Sequence, residues 1–182
     1  MRTLLVSGSD LLERGLVVSP EPEQALRGVV GAVLEGLSYK TPDRAAVFVL
    51  PDAGDRLVTL LAAQGFRVVA DPDPANAIAA TCRVALAAGD DVVVVGSDKR
   101  FAQLVSDRVW WLDGFKRVRY TPPIVRKRFG VPPEQVADWL ALVGDDGALQ
   151  GVKGIGAKGA VGLLEAHGSL DAALADPDAV EG

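Results

Sequence analysis

Four consecutive valines, Val92 to Val95, bounded by Asp91 and Gly96, constrain this chain more than any other stretch. A strand with one wet face alternates apolar and polar side chains. A strand that is apolar at every position must be covered on both faces, the condition met inside a parallel sheet with helices above and below. The surrounding sequence supplies the other parts. Thr3 to Val6, Ala46 to Leu50 and Arg67 to Val69 read as strands. Glu23 to Leu37 (opened by Pro22), Gly54 to Gln64, and the Ala-rich Pro74 to Ala88 (stopped by Gly89) read as helices. Strand–helix alternation of this kind predicts an α/β fold with a doubly wound, mostly parallel sheet. In such sheets the functional groups sit beyond the carboxyl ends of the strands.

At 182 residues the chain predicts one main domain with a small appendage. With 49% apolar and 24% charged residues it buries a sizeable core, which excludes a disordered chain. No apolar run approaches membrane-spanning length. Met1 to Val6 gives way at once to Ser7-Gly8-Ser9-Asp10, so no signal peptide is expected and the expected compartment is the cytoplasm. A single cysteine, Cys82, makes neither an internal disulfide nor a thiolate cage, and a single histidine, His167, excludes a multi-histidine metal site. Net charge is −5 but unevenly spread. Residues 96–130 hold nine Lys or Arg against three acids, a local +6 that leaves −11 for the remainder. The acidic sum opposes strong nonspecific nucleic-acid binding, while the basic stretch is a candidate contact surface.

Three strand ends carry candidate groups: Ser7-Gly8-Ser9-Asp10, Pro51-Asp52 and Gly96-Ser97-Asp98-Lys99-Arg100. No Gly-x-Gly-x-x-Gly follows Gly8 and no Walker lysine is present, which argues against a classical nucleotide site. A lone aspartate at such a place commonly caps a helix, and Asp98 is placed to cap one starting near Lys99. Farther on, Val109 to Leu112 and Arg117 to Tyr120 flank Asp113-Gly114 as an edge hairpin, with Trp110 and Trp111 expected to pack rather than stack on bases. Helices are expected from Thr121-Pro122-Pro123 to Phe129 and from Pro132-Pro133-Glu134 to Val143. The reading divides the chain into residues 1–120, an α/β core, and 121–182, a helical region.

Gly151-Val152-Lys153-Gly154-Ile155-Gly156-Ala157-Lys158 reads as the hairpin of a helix–hairpin–helix spanning about 144–170. Gly154 and Gly156 let backbone amides face outward, and a helix starting at Ala157 adds unpaired N–H groups and the positive end of its dipole. The result is a phosphate cradle that needs little net charge, with Lys153 and Lys158 as local cations.

From Asp98-Lys99 to Leu170, about 75 residues without gaps, the chain resembles the 5′-nuclease family: flap endonucleases and the 5′–3′ exonuclease domains of bacterial DNA polymerase I. The resemblance rests on a strand ending in Ser97-Asp98-Lys99, on Phe101-x-Gln103-Leu104-Val105-Ser106-Asp107-Arg108-Val109 and on the Thr121-Pro122 helix. It continues through Phe129-Gly130-Val131-x-Pro133-x-Gln135, Ala141-Leu142-Val143-Gly144-Asp145, the hairpin, and Leu163-Leu164-x-x-x-Gly168-Ser169-Leu170. It implies a PIN-like fold with a C-terminal helix–hairpin–helix, and cleavage of branched or 5′-ended DNA by two divalent cations, Mg²⁺ or Mn²⁺, in a carboxylate cluster. It also implies a K⁺ ion at the hairpin.

The chain departs from that pattern systematically. Ser7 stands where the family has its first-strand aspartate. The Glu-x-Asp-Asp helix start falls on Pro74-Ala75-Asn76-Ala77. The acid after Asp98 is replaced by Arg100, and the acid after Asp145 by Ala148. Asp52, Asp98 and Asp145 remain, with Asp10 and Asp146 as irregular substitutes. Carboxylates crowded without metal repel one another, and a guanidinium among them relieves this. Arg100 is therefore expected to pair with Asp98, Asp145 or both in place of a metal. That leaves room for one divalent ion at Asp98 and Asp145, and no cofactor is required. The family's basic, aromatic helical arch has no counterpart either: the 24 positions from Asp52 to Asn76 contain only Arg56 and Arg67 as basic residues. The function expected is sequence-independent binding of duplex or branched DNA without cutting. Lys153, Gly154, Ile155, Gly156 and Lys158 would grip one backbone, and Lys116, Arg117, Arg126, Lys127 and Arg128 a second strand. An active 5′–3′ exonuclease or flap endonuclease with a reduced site, and a protein-interaction scaffold, are the alternatives.

Overall fold

The computed structural model of the chain describes residues 1–39, 41–53, 55–145 and 149–175. Six strands form one sheet: β1 (Arg2–Ser7), β2 (Arg44–Val49), β3 (Arg67–Ala70), β4 (Asp91–Val95), β5 (Val109–Asp113) and β6 (Val118–Tyr120). Their spatial order is β3-β2-β1-β4-β5-β6, and only β6 runs antiparallel to its neighbour. This is the α/β, mostly parallel sheet that the valine run and the alternation predict. The helices are α1 (Gly8–Val18), α2 (Pro22–Tyr39), α3 (Asp55–Ala63), α4 (Pro74–Ala87), α5 (Pro122–Phe129), α6 (Val136–Val143), α7 (Ala157–His167) and α8 (Leu170–Ala175). Short 3-10 helices cover Lys99–Leu104 and Pro133–Gln135.

The two faces of the sheet follow from the period-2 alternation of its strands. Leu4, Val6, Val93 and Val95 point to one face, where Leu11 of α1, Val29 and Val33 of α2, and Leu57 and Leu61 of α3 complete a core. Leu5, Val92 and Val94 point to the other, where α4 lies against β1, β2 and β4 and buries Ile78, Cys82 and Ala85. Val92 to Val95 are all at most 1% exposed, so β4 is covered on both sides. Each fully buried Val or Leu contributes about 1.5–3 kcal/mol, which makes β1 and β4 the rigid centre of the unit. Thr3 in β1 and Asp90 just before β4 pair with each other. Thr3 Oγ1 donates to Asp90 Oδ2 at 2.8 Å, and that hydrogen bond holds the Asp90 carboxyl below its ordinary range.

Helix α1 is the main departure from the sequence-based expectation, which names no helix between Thr3–Val6 and Glu23. The helix follows β1 with no intervening loop, burying Leu11 and Gly15 one turn apart. At the other edge, Trp111 is fully buried, stacks on Tyr120 at 4.1 Å and donates from Nε1 to the Gly96 carbonyl at 2.9 Å. It is a packing residue tied to the end of β4.

The chain divides into two compact units, Met1–Thr121 and Pro122–Gly182. In the second, α6 ends at Gly144 (φ +90°), and the backbone returns past it so that Val152 N–H donates to Leu142 O at 2.8 Å. A Cβ on Gly144 would stand 2.8 Å from Gly151 N, and one on Gly151 would collide with the Val143 carbonyl. Gly154, at φ +89°, has open space around it. Gly151→Ala should therefore cost roughly 1–3 kcal/mol through overpacking. Gly154→Ala should cost roughly 1–2 kcal/mol through left-handed backbone alone. Urea denaturation of both variants checks this; wild-type stability for Gly151→Ala would refute the close passage of the two backbones.

Candidate functional site

Strands β1 and β4 are neighbours whose onward connections leave in opposite directions, so their carboxyl ends flank the switch point of the sheet. The first turn of α1 fills this crevice. Ser9 Oγ accepts the Leu50 N–H at 2.8 Å, and Asp10 Oδ2 accepts the N–H groups of Ser97 at 2.6 Å and Asp98 at 3.3 Å. Gly96 makes that approach possible, since a Cβ there would lie 2.9 Å from Asp10 Oδ2 and 3.1 Å from Ser7 Cβ. Burial drives the Asp10 carboxyl up to about 6; the Ser97 amide counters the rise and the Asp98 charge adds to it. Ser7, where the resemblance implies a metal-ligating aspartate, is itself buried.

Asp98 does two things at once. Its Oδ1 accepts the Arg100 N–H at 2.8 Å, capping the 3-10 helix. Its Oδ2 receives Arg100 Nε at 2.8 Å and Nη2 at 2.7 Å. Helix cap and ion pair, weighed above as alternatives, coexist. The Asp98 side chain is 14% exposed and that of Arg100 48%. A cavity of about 270 Å³ opens beside them, lined by Asp10, Glu13, Asp73, Asp98 and Arg100 together with Ser7 and Ser9.

Asp52 is exposed in the turn after β2 and is not among the residues lining the cavity. Asp145 belongs to the second unit, where its N–H donates to Leu149 O at 2.9 Å and its carbonyl accepts the Leu149 N–H at 3.2 Å. Asp146 and Ala148 lie outside the described residues. Among the described residues no three His, Cys, Asp or Glu side chains are grouped closely enough to hold a metal ion. Asp98 Oδ2 is engaged by a guanidinium and Asp10 Oδ2 by two backbone amides.

The expected cationic contacts are mostly on the surface. Lys153, Gly154, Gly156 and Lys158 are exposed and Ile155 half-buried, with Ile155 N–H donating to Val152 O at 3.1 Å and α7 starting at Ala157 as expected. Arg126, Lys127 and Arg128 are exposed in the last turn of α5, Arg128 lying 5.0 Å from the Phe129 ring. Lys116 is 3.8 Å from the buried Asp113, and Arg117 takes a left-handed backbone at φ +52°. Sequence reasoning missed Glu13 and Asp73. Glu13 was findable, because Asp10 and Glu13 share a helix face at i, i+3 once α1 is recognised.

Asp10 generates a pH prediction. Its carboxyl rises from 3.8 to about 6 on folding. The proton it retains therefore favours the fold fully below about 4, and that contribution is lost as pH rises through 6. A shift of this size corresponds to about 3 kcal/mol. Asp10→Asn, which keeps an acceptor for the Ser97 amide, should gain stability over wild type between pH 4 and pH 6.5 and hold the advantage above. Thermal melts of both proteins across that range measure it, and a pH-independent difference would refute the assignment.

Comparison with known proteins agrees with this architecture. No protein-family model matches the chain. It is 34% identical over 137 residues to flap endonuclease Xni of Edwardsiella ictaluri, covering 74% of this chain and 54% of that protein. It is 44% identical over 98 residues to DNA polymerase I of Rhizobium leguminosarum, covering 53% of this chain and 10% of that protein. Against the thermostable DNA polymerase I of Thermus aquaticus it is 32% identical over 216 aligned positions, covering 97% of this chain and 25% of that protein. That alignment is longer than the chain, so the relative carries insertions that this chain lacks. The chain thus spans about half of the flap endonuclease and smaller parts of the polymerases. Among solved structures, T5 5′-exonuclease bound to zinc ions superposes with a TM-score of 0.81 at 16% identity, covering all of this chain and 81% of that one. The catalytic core of Rad2 in complex with a DNA substrate gives 0.63 at 17% identity, covering 93% and 60%. Structural likeness at such identities establishes the fold, the sequence matches establish descent, and together they make this chain a member of the 5′-nuclease family.

Proposed function

We propose that this chain docks on duplex or branched DNA without reading its sequence, and holds it without cutting by a two-metal mechanism. The observation that carries the reading is the seating of Arg100 Nε and Nη2 on Asp98 Oδ2 at 2.8 and 2.7 Å. A fixed monovalent cation there compensates the carboxylate from within, so a divalent ion would have to displace it and desolvate both partners. The relatives' names, flap endonuclease and DNA polymerase I, and the DNA in the Rad2 complex, point to nucleic acid as the ligand. The exposed glycines and lysines of 153–158, at the start of α7, are the helix–hairpin–helix contact on this reading. Amides and a helix dipole grip a phosphate even in a protein of net charge −5. The reading requires no cofactor, and a K⁺ ion at the hairpin remains compatible with it.

The second reading, an active nuclease with a reduced site, draws on one observation: Asp10, Glu13, Asp73 and Asp98 line one cavity. Incubation of nicked, flapped and plain duplexes with Mg²⁺ and with Mn²⁺ separates the two. No cleavage is expected. Cleavage that disappears in Asp98→Ala would replace the first reading with the second.

For binding, five to seven phosphate contacts give a salt slope of roughly −4 to −6 in log K against log salt. Lys153→Ala with Lys158→Ala should lower its magnitude by roughly 2. Gel shifts over a salt series measure both. Absence of binding to any of the three DNAs at low salt would end the DNA reading in favour of a protein-interaction scaffold.

A further inference from the structure

Helix α2 carries three glycines, and two of them lie against another part of the fold. A Cβ on Gly36 would stand 2.7 Å from Val95 Cγ2, and one on Gly28 would meet the Phe115 ring at 3.5 Å. Gly31, in the middle of the same 18-residue helix, is different: a Cβ there meets nothing within 4 Å beyond the helix's own backbone. Glycine inside a helix is unfavourable relative to alanine, and no contact within the unit accounts for this one. The helix buries Ala25, Val29, Ala32, Val33 and Gly36 and turns Arg27, Gly31, Leu34 and Ser38 to the surface. Beside Gly31 a groove of about 520 Å³ runs between α2 and α3, with Leu26, Val30, Leu34 and Leu60 as its apolar lining. Leu34 is 58% exposed, and the Glu23–Arg56 ion pair at 2.9 Å ties the two helices together.

The charges on this face select what covers it. Arg27 and Glu35 stand four residues before and four after Gly31 on one i±4 row, and neither forms an ion pair among the described residues. Such rows are the ridges that mesh when helices cross at about −50°, the commonest packing class. A glycine at the crossing point lets the backbones approach. Two α2 helices that run antiparallel and cross at Gly31 set each residue before the glycine against the one equally far after it. Arg27 of each copy then meets Glu35 of the other, and the apolar rows holding Val30 and Leu34 come together on the side of the groove. A parallel pair would instead set Arg27 on Arg27 and Glu35 on Glu35. A two-fold contact must be self-complementary, and opposite charges equally spaced about a small central residue meet that requirement. We propose that α2 is a homodimer surface, pairing antiparallel with α2 of a second copy of this chain about a two-fold axis at Gly31. The proposal does not rest on the DNA reading above.

Sedimentation equilibrium of the whole chain over a concentration series, with no DNA present, tests this. The mass should rise from 19.0 kDa toward twice that value through the micromolar range. Gly31→Leu, which replaces a helix-weakening residue where a Cβ has open space, should abolish the rise. Its thermal stability in dilute solution should equal or exceed that of the wild type, which separates loss of the dimer from loss of the fold. Arg27→Glu and Glu35→Arg should each weaken association about tenfold, because each sets like charges opposite one another. The two substitutions together restore opposite charges in every pair and should bring the dissociation constant back to within about twofold of wild type. A wild type that stays monomeric at every concentration would overturn the proposal and leave the groove to a different protein. A dimer that survives Gly31→Leu would overturn it too, as would a charge swap that fails to restore association.

Discussion

The hydrogen bonds from the Ser97 and Asp98 amides to Asp10 Oδ2 fix the geometry on which the rest of the site is built. Without that acceptor, the chain leaving β4 would have no tie to α1 across the switch point. With it, the backbone at Asp98 is placed, the Asp98 carboxylate caps the 3-10 helix, and its Oδ2 holds the Arg100 guanidinium. Arg100 in turn lines the cavity beside Asp98. Two of these links are charge-assisted and one involves a carboxyl that burial makes reluctant to ionise. The brace is thus strong as geometry and unfavourable as electrostatics, the combination expected where a fold keeps a charged group for position rather than stability.

The sheet was legible because its signals are local. Four valines in a row demand two covered faces, Pro74 and Pro22 open helices, and Asp113-Gly114 turns a hairpin. Helix α1 was not, although Leu11, Leu12, Gly15 and Leu16 stand at helical spacing, because Ser7-Gly8-Ser9-Asp10 reads as a loop when taken residue by residue. The Arg100–Asp98 pair was legible from an i, i+2 spacing at a strand end together with charge balance. Asp10 was visible only as an irregular substitute, since its role depends on a contact 87 residues away in the chain.

The substitutions near the switch point share a direction. Serine for aspartate at Ser7, apolar or neutral residues from Pro74 to Ala77, and arginine at Arg100 all remove negative charge from one end of one sheet. Each change alone would unbalance a metal cluster, leaving a cation undercoordinated or a carboxylate uncompensated. On the proposed reading, Arg100 takes over at Asp98 the compensation that a divalent ion would supply. Change at the site leaves the sheet intact, because the sheet is stabilised by burial of Leu4, Val6, Val93 and Val95 and does not depend on the site's charge.

The same separation bears on how an acidic protein could engage DNA. The −11 carried outside residues 96–130 repels a polyanion at long range, and salt screens that repulsion together with the attraction. What survives at contact are groups that act over a few ångströms: amides at a helix start and lysines beside them. Such groups reward correct placement more than mere proximity. On the proposed reading, the excess acid is therefore functional. It weakens adsorption along plain duplex and leaves binding to the lysines and the amide cradle, which act only when correctly placed.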